Sequence, residues 1–331
     1  MLKFDGKKQI ESVRGALALR PQIERIVDEV WDKGFRNICW LGIGGTWASA
    51  FQAVTHMKER TGLEVFSANA AEYCATGDKR VGEGTFLIFS SVTGSTVEVV
   101  EAVRKARENS ARVLGFIDNA DSPLASMVDD CITYPANEQL KFFMAADRFL
   151  YREGVLPDYD DMYFQFDMAL PEALTQVEKS ADKFGESFSK AHLNDSLHYF
   201  VGAGTLYGAT YSYGMCYWEE MHWMRTKSIH SAEFFHGMLE IIDEDTPVTL
   251  FIGEDSQRGL GERVQRFLER FSKNYTVIDT KDYALPGIDD RYRYAVSHLV
   301  MHAVTNRIDA HLEALSGHDM TLRRYYRKTD Y

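Results

Sequence analysis

Residues 37–46, NICWLGIGGT, decide the fold of this chain. The run from Ile38 to Leu41 is short and apolar, as in a buried strand. Three of the next four residues are glycines, which let the backbone turn tightly and approach a ligand closely. A helical pattern then continues to about Arg60. A strand, a glycine-rich turn and a helix in direct succession are typical of a parallel α/β unit.

The same alternation fills the first half of the chain. Short apolar runs predict four further strands, at residues 64–67, 85–90, 112–117 and 131–134. Helices are predicted between them, most clearly at residues 95–109, and amphipathic helices interrupted near Pro21 precede the first strand. Strands that alternate with helices over short connections indicate a parallel sheet covered on both faces.

A second copy of the opening pattern begins about 160 residues later, with YFVGAGT at residues 199–205. A helix at residues 207–224 follows, then three strands, at residues 228–233, 248–252 and 276–278, and helices at 261–273 and 291–315. This spacing fits a tandem duplication, and 331 residues suit two domains of about 150 residues each. The sequence therefore predicts an α/β protein of two tandem doubly wound parallel-sheet domains with flanking helices, residues 1–193 and 194–331.

Composition excludes several classes of function. The net charge of −12 argues against a nucleic-acid partner, which would require a basic face. The N-terminal residues MLKFDGKKQI lack the apolar core of a signal peptide, and no segment is apolar enough to span a bilayer. The four cysteines are scattered, which favours reduced, packed thiols over a metal site. We expect a cytoplasmic protein without a membrane partner.

The first glycine-rich turn does not match the familiar nucleotide-binding motifs. A GxGxxG motif would require glycine where the chain has Trp47, and the Lys-Ser/Thr pair of a P-loop is absent after the second glycine. NAD and ATP are therefore disfavoured, and no organic cofactor is predicted. A plain tight turn remains the alternative interpretation.

The segment SSVTGST at residues 90–96 is more informative. It follows an apolar strand and contains five hydroxyl residues and one glycine where a helix begins. Hydroxyl groups, backbone amides and the positive end of the helix dipole can together hold a phosphate without lysine or arginine. One serine or threonine would be enough for the alternative role, an N-terminal cap. We predict an anion site at this loop.

A glycine-rich turn followed by such a Ser/Thr loop resembles the sugar isomerase (SIS) domain family of phosphosugar isomerases and binding proteins. In that family the loop holds the sugar phosphate. The resemblance implies that Ser91, Thr93 and Thr96 bind phosphate and that Gly94 permits close approach. Thr46 of the first turn would assist, although Trp47 stands where the family often has serine.

Residues 218–237, WEEMHWMRTKSIHSAEFFHG, resemble the catalytic region in the isomerase half of glutamine–fructose-6-phosphate aminotransferase. That family has a catalytic Glu and, sixteen residues later, a catalytic His before a glycine, which here are Glu220 and His236. The pair would act as base and acid in proton transfer. Glu219 remains the alternative base, while His222 and His230 are the rival histidines.

Two further features concern the same resemblance. Glu138, which begins a predicted helix, matches an acidic position near the family's sugar site, but a glutamate is common at a helix start, so it is not included in the predicted site. The tail RRYY at residues 323–326, followed by Asp330 and Tyr331, resembles the fructosamine 6-phosphate deglycases of the family. This tail could form a lid or pack against another subunit.

The predicted function is therefore cleavage of a fructosamine (fructoselysine-type) 6-phosphate to glucose 6-phosphate and an amine, without metal or cofactor. A phosphosugar aldose–ketose isomerase, an aminotransferase-isomerase-like or deaminase-like enzyme, and a non-catalytic sugar-phosphate sensor remain alternatives. The released amine is left open. By analogy with the family, the resemblance implies a homo-oligomer, at least a dimer.

Overall fold

A computed structural model describes residues 1–326 and 328–329. Asp330 and Tyr331 of the tail motif lie outside the described residues. The chain divides into two compact units, a first unit of residues 7–171 and a second unit of residues 1–6 with residues 172–331.

This division assigns residues 172–193 to the second unit, whereas the sequence predicts them at the end of the first domain. Helix α8 (Asp182–His192) packs closely against the closing helix α11 (Ser297–Ser316). The buried Arg307 of α11 bonds to Asp182, and a Cβ atom at Gly185 would lie 2.8 Å from the Arg307 backbone. Ser189 donates to the Ile308 carbonyl oxygen over 2.9 Å. These contacts explain why α8 belongs with the second unit.

The first unit is built on a five-stranded parallel sheet in the order β2-β1-β3-β4-β5. Its strands are β1 (Asn37–Gly42), β2 (Val65–Asn69), β3 (Thr85–Ser91), β4 (Arg112–Ile117) and β5 (Asp130–Ile132). Its helices are α1 (Gly6–Leu17), α2 (Arg20–Lys33), α3 (Gly45–Lys58), α4 (Ala70–Thr76), α5 (Val97–Glu108) and α6 (Glu138–Glu153), and α7 (Tyr159–Ser180) continues past residue 171. Every residue of β1 and β3 is buried, as expected for central parallel strands covered on both faces.

The second unit repeats this arrangement with four parallel strands in the order β7-β6-β8-β9. They are β6 (His198–Gly202), β7 (Thr226–His230), β8 (Val248–Ile252) and β9 (Tyr275–Asp279), with helices α9 (Thr205–Ser212) and α10 (Arg258–Phe271). Gly44 and Gly204, in the two glycine-rich turns, have φ of 58° and 59° and ψ of −127° and −139°. The predicted α/β fold of parallel sheets with flanking helices is therefore confirmed.

The helix predicted at residues 207–224 differs from the structure. Helix α9 ends at Ser212 and continues as a π-helix over Tyr213–Glu219. Trp223 has a φ of +60°, which no right-handed helix can contain. The helical segment therefore ends several residues before its predicted limit. Within the described part of the chain, no helix combines the length and apolar character needed to cross a membrane.

A buried polar network lies at the start of β6. Asp195 Oδ2 accepts from His192 Nδ1 and from His198 Nδ1, both over 2.8 Å, and His198 Nε2 lies 2.8 Å from Thr249 Oγ1. The three possible ligand atoms of His192, Asp195 and His198 lie within 4.8 Å of one another, close enough for a cation. These hydrogen bonds give Asp195 and both rings a structural role. Burial lowers the pKa of His198 to about 4, although the bond to Asp195 raises it in part.

The low pKa of His198 predicts acid sensitivity. Its ordinary value is 6.5, so below that pH the unfolded chain takes up a proton that the folded chain does not bind until about pH 4. Stability is therefore lost as the pH falls through this window. We expect this histidine to reduce the free energy of unfolding by about 2 kcal/mol between pH 7 and pH 5. Urea unfolding at both values measures the effect, and a His198→Gln variant should lose that part of the pH dependence. An equal pH dependence in both proteins would contradict this prediction.

Candidate functional site

The glycine-rich turn of the first unit is closed by its own threonine. Thr46 Oγ1 accepts from the Ile43 amide and donates to the Ile43 carbonyl oxygen, both over 3.0 Å. At Gly42 a Cβ atom would lie 2.4 Å from the Trp47 backbone nitrogen, so only glycine fits there. The Thr46 hydroxyl is thus used within the turn. Its assistance to phosphate binding stays a prediction and would require its single hydrogen to turn from the Ile43 carbonyl oxygen to a phosphate oxygen.

The Ser/Thr loop begins at the carboxyl end of β3. Ser91 Oγ accepts from the Gly94 amide over 3.0 Å, and Thr93 Oγ1 accepts from the Ser95 amide over 3.3 Å. The Gly94 carbonyl oxygen accepts from the Leu124 amide over 3.1 Å. Gly94 itself has a φ of +64°, which favours glycine. The loop backbone is therefore held by hydrogen bonds to its own Ser91 and Thr93 side chains and to Leu124.

The N-terminus of α5 lies at the end of this loop. Thr96 stands at the N-cap position, yet its side chain makes no capping hydrogen bond to the helix. The first amides of a helix have no partners within the helix and carry the positive end of its dipole. An uncapped N-terminus beside several hydroxyl groups suits a phosphate better than it suits the capping role considered from the sequence.

The corresponding turn of the second unit is already bound to an internal anion. Asp255, in the loop after β8, accepts through Oδ2 from the Thr205 amide over 2.7 Å and from the Thr205 hydroxyl over 2.8 Å. Gln257 accepts from the Gly204 amide over 3.3 Å. A carboxylate thus neutralises the start of α9. This difference between the copies favours the first unit as the one that binds phosphate.

Glu138 adds a titratable group to the first unit. Burial raises the pKa of its carboxyl group, although the nearby Ser49 and Ser90 hydroxyl groups and the charge of Lys141 lower this pKa in part. Two consecutive non-glycine residues, Ala136 and Asn137, have φ of 61° and 52° immediately before it. Local backbone strain and a perturbed carboxyl group are both common at functional sites. A glutamate at a helix start carries no specific signal in the sequence, so the sequence alone does not place Glu138 in the site.

The two adjacent carboxylates of the second unit have different surroundings. Glu219 Oε1 accepts from the Thr226 hydroxyl over 2.8 Å and from its amide over 3.3 Å, which ties the π-helix to β7. Glu220 follows the π-helix, and its Oε1 accepts from Arg323 Nε over 2.8 Å. Its side chain is 38% exposed. Glu219, the more exposed of the two, is thus bonded to β7, whereas Glu220 is bonded to a cation of the tail. The role of Glu220 as the base stays a prediction.

The three candidate histidines also differ in their surroundings. His222 is buried and its Nε2 lies 3.2 Å from Asp309 Oδ1, which makes it a packing residue. His230 ends β7, and its Nδ1 accepts from the Ala232 amide over 3.1 Å. His236 is exposed on a 3₁₀ turn (Phe234–His236), and its ring has no hydrogen bond within the described residues. His236 is thus accessible, but its role as acid stays a prediction.

The chain is similar to several known proteins. A family model described as the SIS domain matches residues 34–147. Over 322 residues the chain is 27% identical to the fructosamine deglycase FrlB of Bacillus subtilis, covering 94% of this chain and 97% of that protein. It is 25% identical over 311 residues to the fructoselysine 6-phosphate deglycase of Escherichia coli, covering 92% and 90%. The crystal structure of a candidate phosphosugar isomerase from Bacillus subtilis has a TM-score of 0.89 at 25% identity, covering 96% of this chain and 99% of that one.

The matched region contains the features of the first unit that carry the resemblance. Residues 34–147 include the first glycine-rich turn, the Ser/Thr loop and Glu138. The similarity to the two deglycases extends through both units, since it covers more than nine-tenths of the chain. The chain therefore contains an SIS domain over residues 34–147.

Proposed function

We propose that this protein is a cytoplasmic homo-oligomeric deglycase that converts a fructosamine 6-phosphate and water to glucose 6-phosphate and an amine. Ser91, Thr93, Gly94 and Thr96 bind the phosphate. Glu220 removes a proton from C1 of the open-chain ketoamine, which gives an enaminol. Protonation at C2 then gives an imine at C1, and water adds to it as the amine leaves. His236 is the acid that assists ring opening or stabilises the charge at O2.

We base this proposal on one observation, the separation of the two adjacent carboxylates. Both carboxylates are accessible, but Glu219 accepts two hydrogen bonds from Thr226, whereas the carboxylate of Glu220 is contacted by a single cation. A 1,2-proton shift requires one carboxylate that is accessible and fixed in orientation. The uncapped loop of the first unit supports a phosphorylated substrate, because binding energy from a remote phosphate helps to position the reacting carbon.

The relatives favour a deglycase over the other SIS activities. Two curated relatives with similarity over most of their length are named for fructosamine or fructoselysine 6-phosphate deglycation. The phosphosugar isomerase remains the second candidate, because the same 1,2-proton shift would interconvert an aldose and a ketose phosphate. A sensor would need the loop but no base, so the retention of an accessible Glu220 argues against it.

The test is a substrate panel followed by a coupled assay for glucose 6-phosphate. We expect product from fructoselysine 6-phosphate or from another amino-acid fructosamine 6-phosphate, and little from unphosphorylated fructoselysine. Turnover of fructose 6-phosphate or glucosamine 6-phosphate instead would support the isomerase or deaminase alternative. Binding without turnover of fructoselysine, glucoselysine and fructose-asparagine phosphates would contradict the deglycase proposal and favour the sensor.

A further inference from the structure

The C-terminal tail of the second unit contacts the predicted base directly. Arg323 Nε donates to Glu220 Oε1 over 2.8 Å, across 103 positions of sequence. The same guanidinium is fixed from its other side, because Nη1 donates to the carbonyl oxygens of Met320 over 2.7 Å and Leu322 over 2.9 Å. The orientation of Arg323 is therefore set by the tail backbone before it meets Glu220.

Other tail residues secure the segment that follows Glu220. His318 Nε2 donates to the Met221 carbonyl oxygen over 3.0 Å, and its ring centroid lies 4.2 Å from that of Trp223. The guanidinium of Arg324 lies 4.2 Å from the same indole ring. Trp223 has a φ of +60°, a conformation that costs free energy in a bulky residue and needs support from its surroundings. The tail thus meets residues 220–223 at several points.

We propose that Arg323 is the positioning residue of Glu220, so that the C-terminal tail is a working part of the proton-transfer site. This inference rests on the proposed function. Arg323 acts through Glu220 and is assigned no contact with substrate. The contact between Arg323 and Glu220 is a charge-assisted hydrogen bond to one carboxylate oxygen only.

The geometry suits a base because the two carboxylate oxygens of Glu220 make different contacts. Oε1 is held by Arg323, whereas Oε2 has no hydrogen-bond donor among the described residues. One oxygen therefore fixes the side chain while the other remains to accept the C1 proton. A base oriented by a third group is a recurrent arrangement in catalytic sites. Misplacement of such a group by about 1 Å can cost on the order of 10²-fold in rate.

The contact between Arg323 and Glu220 contributes little to the stability of the fold. The side chains of Arg323 and Glu220 are 21% and 38% exposed, and ion pairs with this exposure contribute little to folding. Removal of Arg323 should therefore leave the melting temperature nearly unchanged. A loss of rate in a stable variant would then report on the base itself.

The experiment compares Arg323→Ala, Arg323→Lys and wild-type protein in the coupled assay with the best substrate of the panel. We expect kcat of Arg323→Ala to fall on the order of 10²-fold, with a much smaller change in KM. Lysine keeps the charge and should restore part of the rate. Guanidinium ion added at millimolar concentration should also raise kcat of Arg323→Ala, which a merely structural role of Arg323 would not produce.

Arg324→Ala is the matched control, since it removes the same charge from the next position without touching Glu220. We expect its kcat to fall far less than that of Arg323→Ala, because it loses one contact to Trp223 and keeps the bond between Arg323 and Glu220. The proposal is overturned if Arg323→Ala keeps its kcat, if guanidinium fails to raise the rate of a slow Arg323→Ala, or if Arg324→Ala is equally slow.

A second measurement keeps this inference separate from the proposed function. Trypsin cleavage after Arg323 should be faster in Glu220→Ala than in wild type, because Arg323 then has no acceptor at this position, and unchanged in Glu219→Gln. If wild-type protein processes none of the substrates, the proposed function fails while this cleavage difference still tests the contact. Equal cleavage in all three proteins would show that Glu220 does not hold the tail.

Discussion

Replacement of Glu220 by glutamine is expected to lower kcat on a fructosamine 6-phosphate by a factor on the order of 10³. The amide has nearly the shape of the carboxylate and its oxygen still accepts from Arg323, but it cannot take a proton from C1. Since the side chain is partly exposed, the substitution removes no buried contact and the fold should persist. Initial rates in the coupled assay give kcat and KM. Calorimetric binding of the substrate should show an affinity close to that of wild type.

Glu219→Gln is the control for this prediction. The neighbouring residue has the same side chain, but its Oε1 accepts from Thr226, and the amide oxygen of glutamine can accept the same bonds. We expect its kcat to remain within a few-fold of wild type. A full rate in Glu220→Gln, or an equal loss in Glu219→Gln, would show that the wrong carboxylate has been assigned as the base.

The fold could be predicted because its signals are local. Residues 37–46 and 199–205 each carry a strand, a glycine-rich turn and a helix start within a dozen residues, and both turns adopt the same backbone conformation. The full burial of β1 and β3 follows from their continuous apolar runs. The exact ends of the helices were harder to predict, since the π-helix at Tyr213–Glu219 leaves no periodic signal of its own in the sequence.

The site was only partly predictable, because several of its contacts join residues far apart in the chain. The loop hydroxyl groups could be found from composition and from the family resemblance. By contrast, the bond of Thr205 to Asp255 spans 50 positions and that of Glu220 to Arg323 spans 103. No local pattern encodes such pairs. Thr46 shows a different difficulty. Its place in the glycine-rich turn suggests a ligand-binding hydroxyl, yet this hydroxyl is hydrogen-bonded to Ile43 of the same turn.

The second large effect is expected from Gly94→Ala in the Ser/Thr loop. A Cβ atom at this position would lie 2.0 Å from Ser122 Oγ and 2.3 Å from Ser122 Cβ. The residue also has a φ of +64°. The loop backbone must therefore move away from Ser122, and the hydroxyl groups and helix amides that bind phosphate move with it. We expect kcat/KM to fall on the order of 10²-fold, mainly through KM, and the affinity for inorganic phosphate measured by calorimetry to fall in parallel.

Two further variants distinguish the two possible causes of the Gly94→Ala effect, the steric overlap with Ser122 and the backbone strain. Gly77 has a similar φ of +69°, but its nearest atom to an added Cβ is Lys105 Nζ at 3.6 Å. Gly77 also has a ψ of 177°, so Gly77→Ala should carry backbone strain of about 1–3 kcal/mol without overlap and leave KM unchanged. In the double variant Gly94→Ala/Ser122→Gly the overlapping side chain is gone, so part of the phosphate affinity should return. Wild-type phosphate affinity in Gly94→Ala, or an equal loss of affinity in Gly77→Ala, would contradict a phosphate site at this loop, because only the first substitution displaces its backbone.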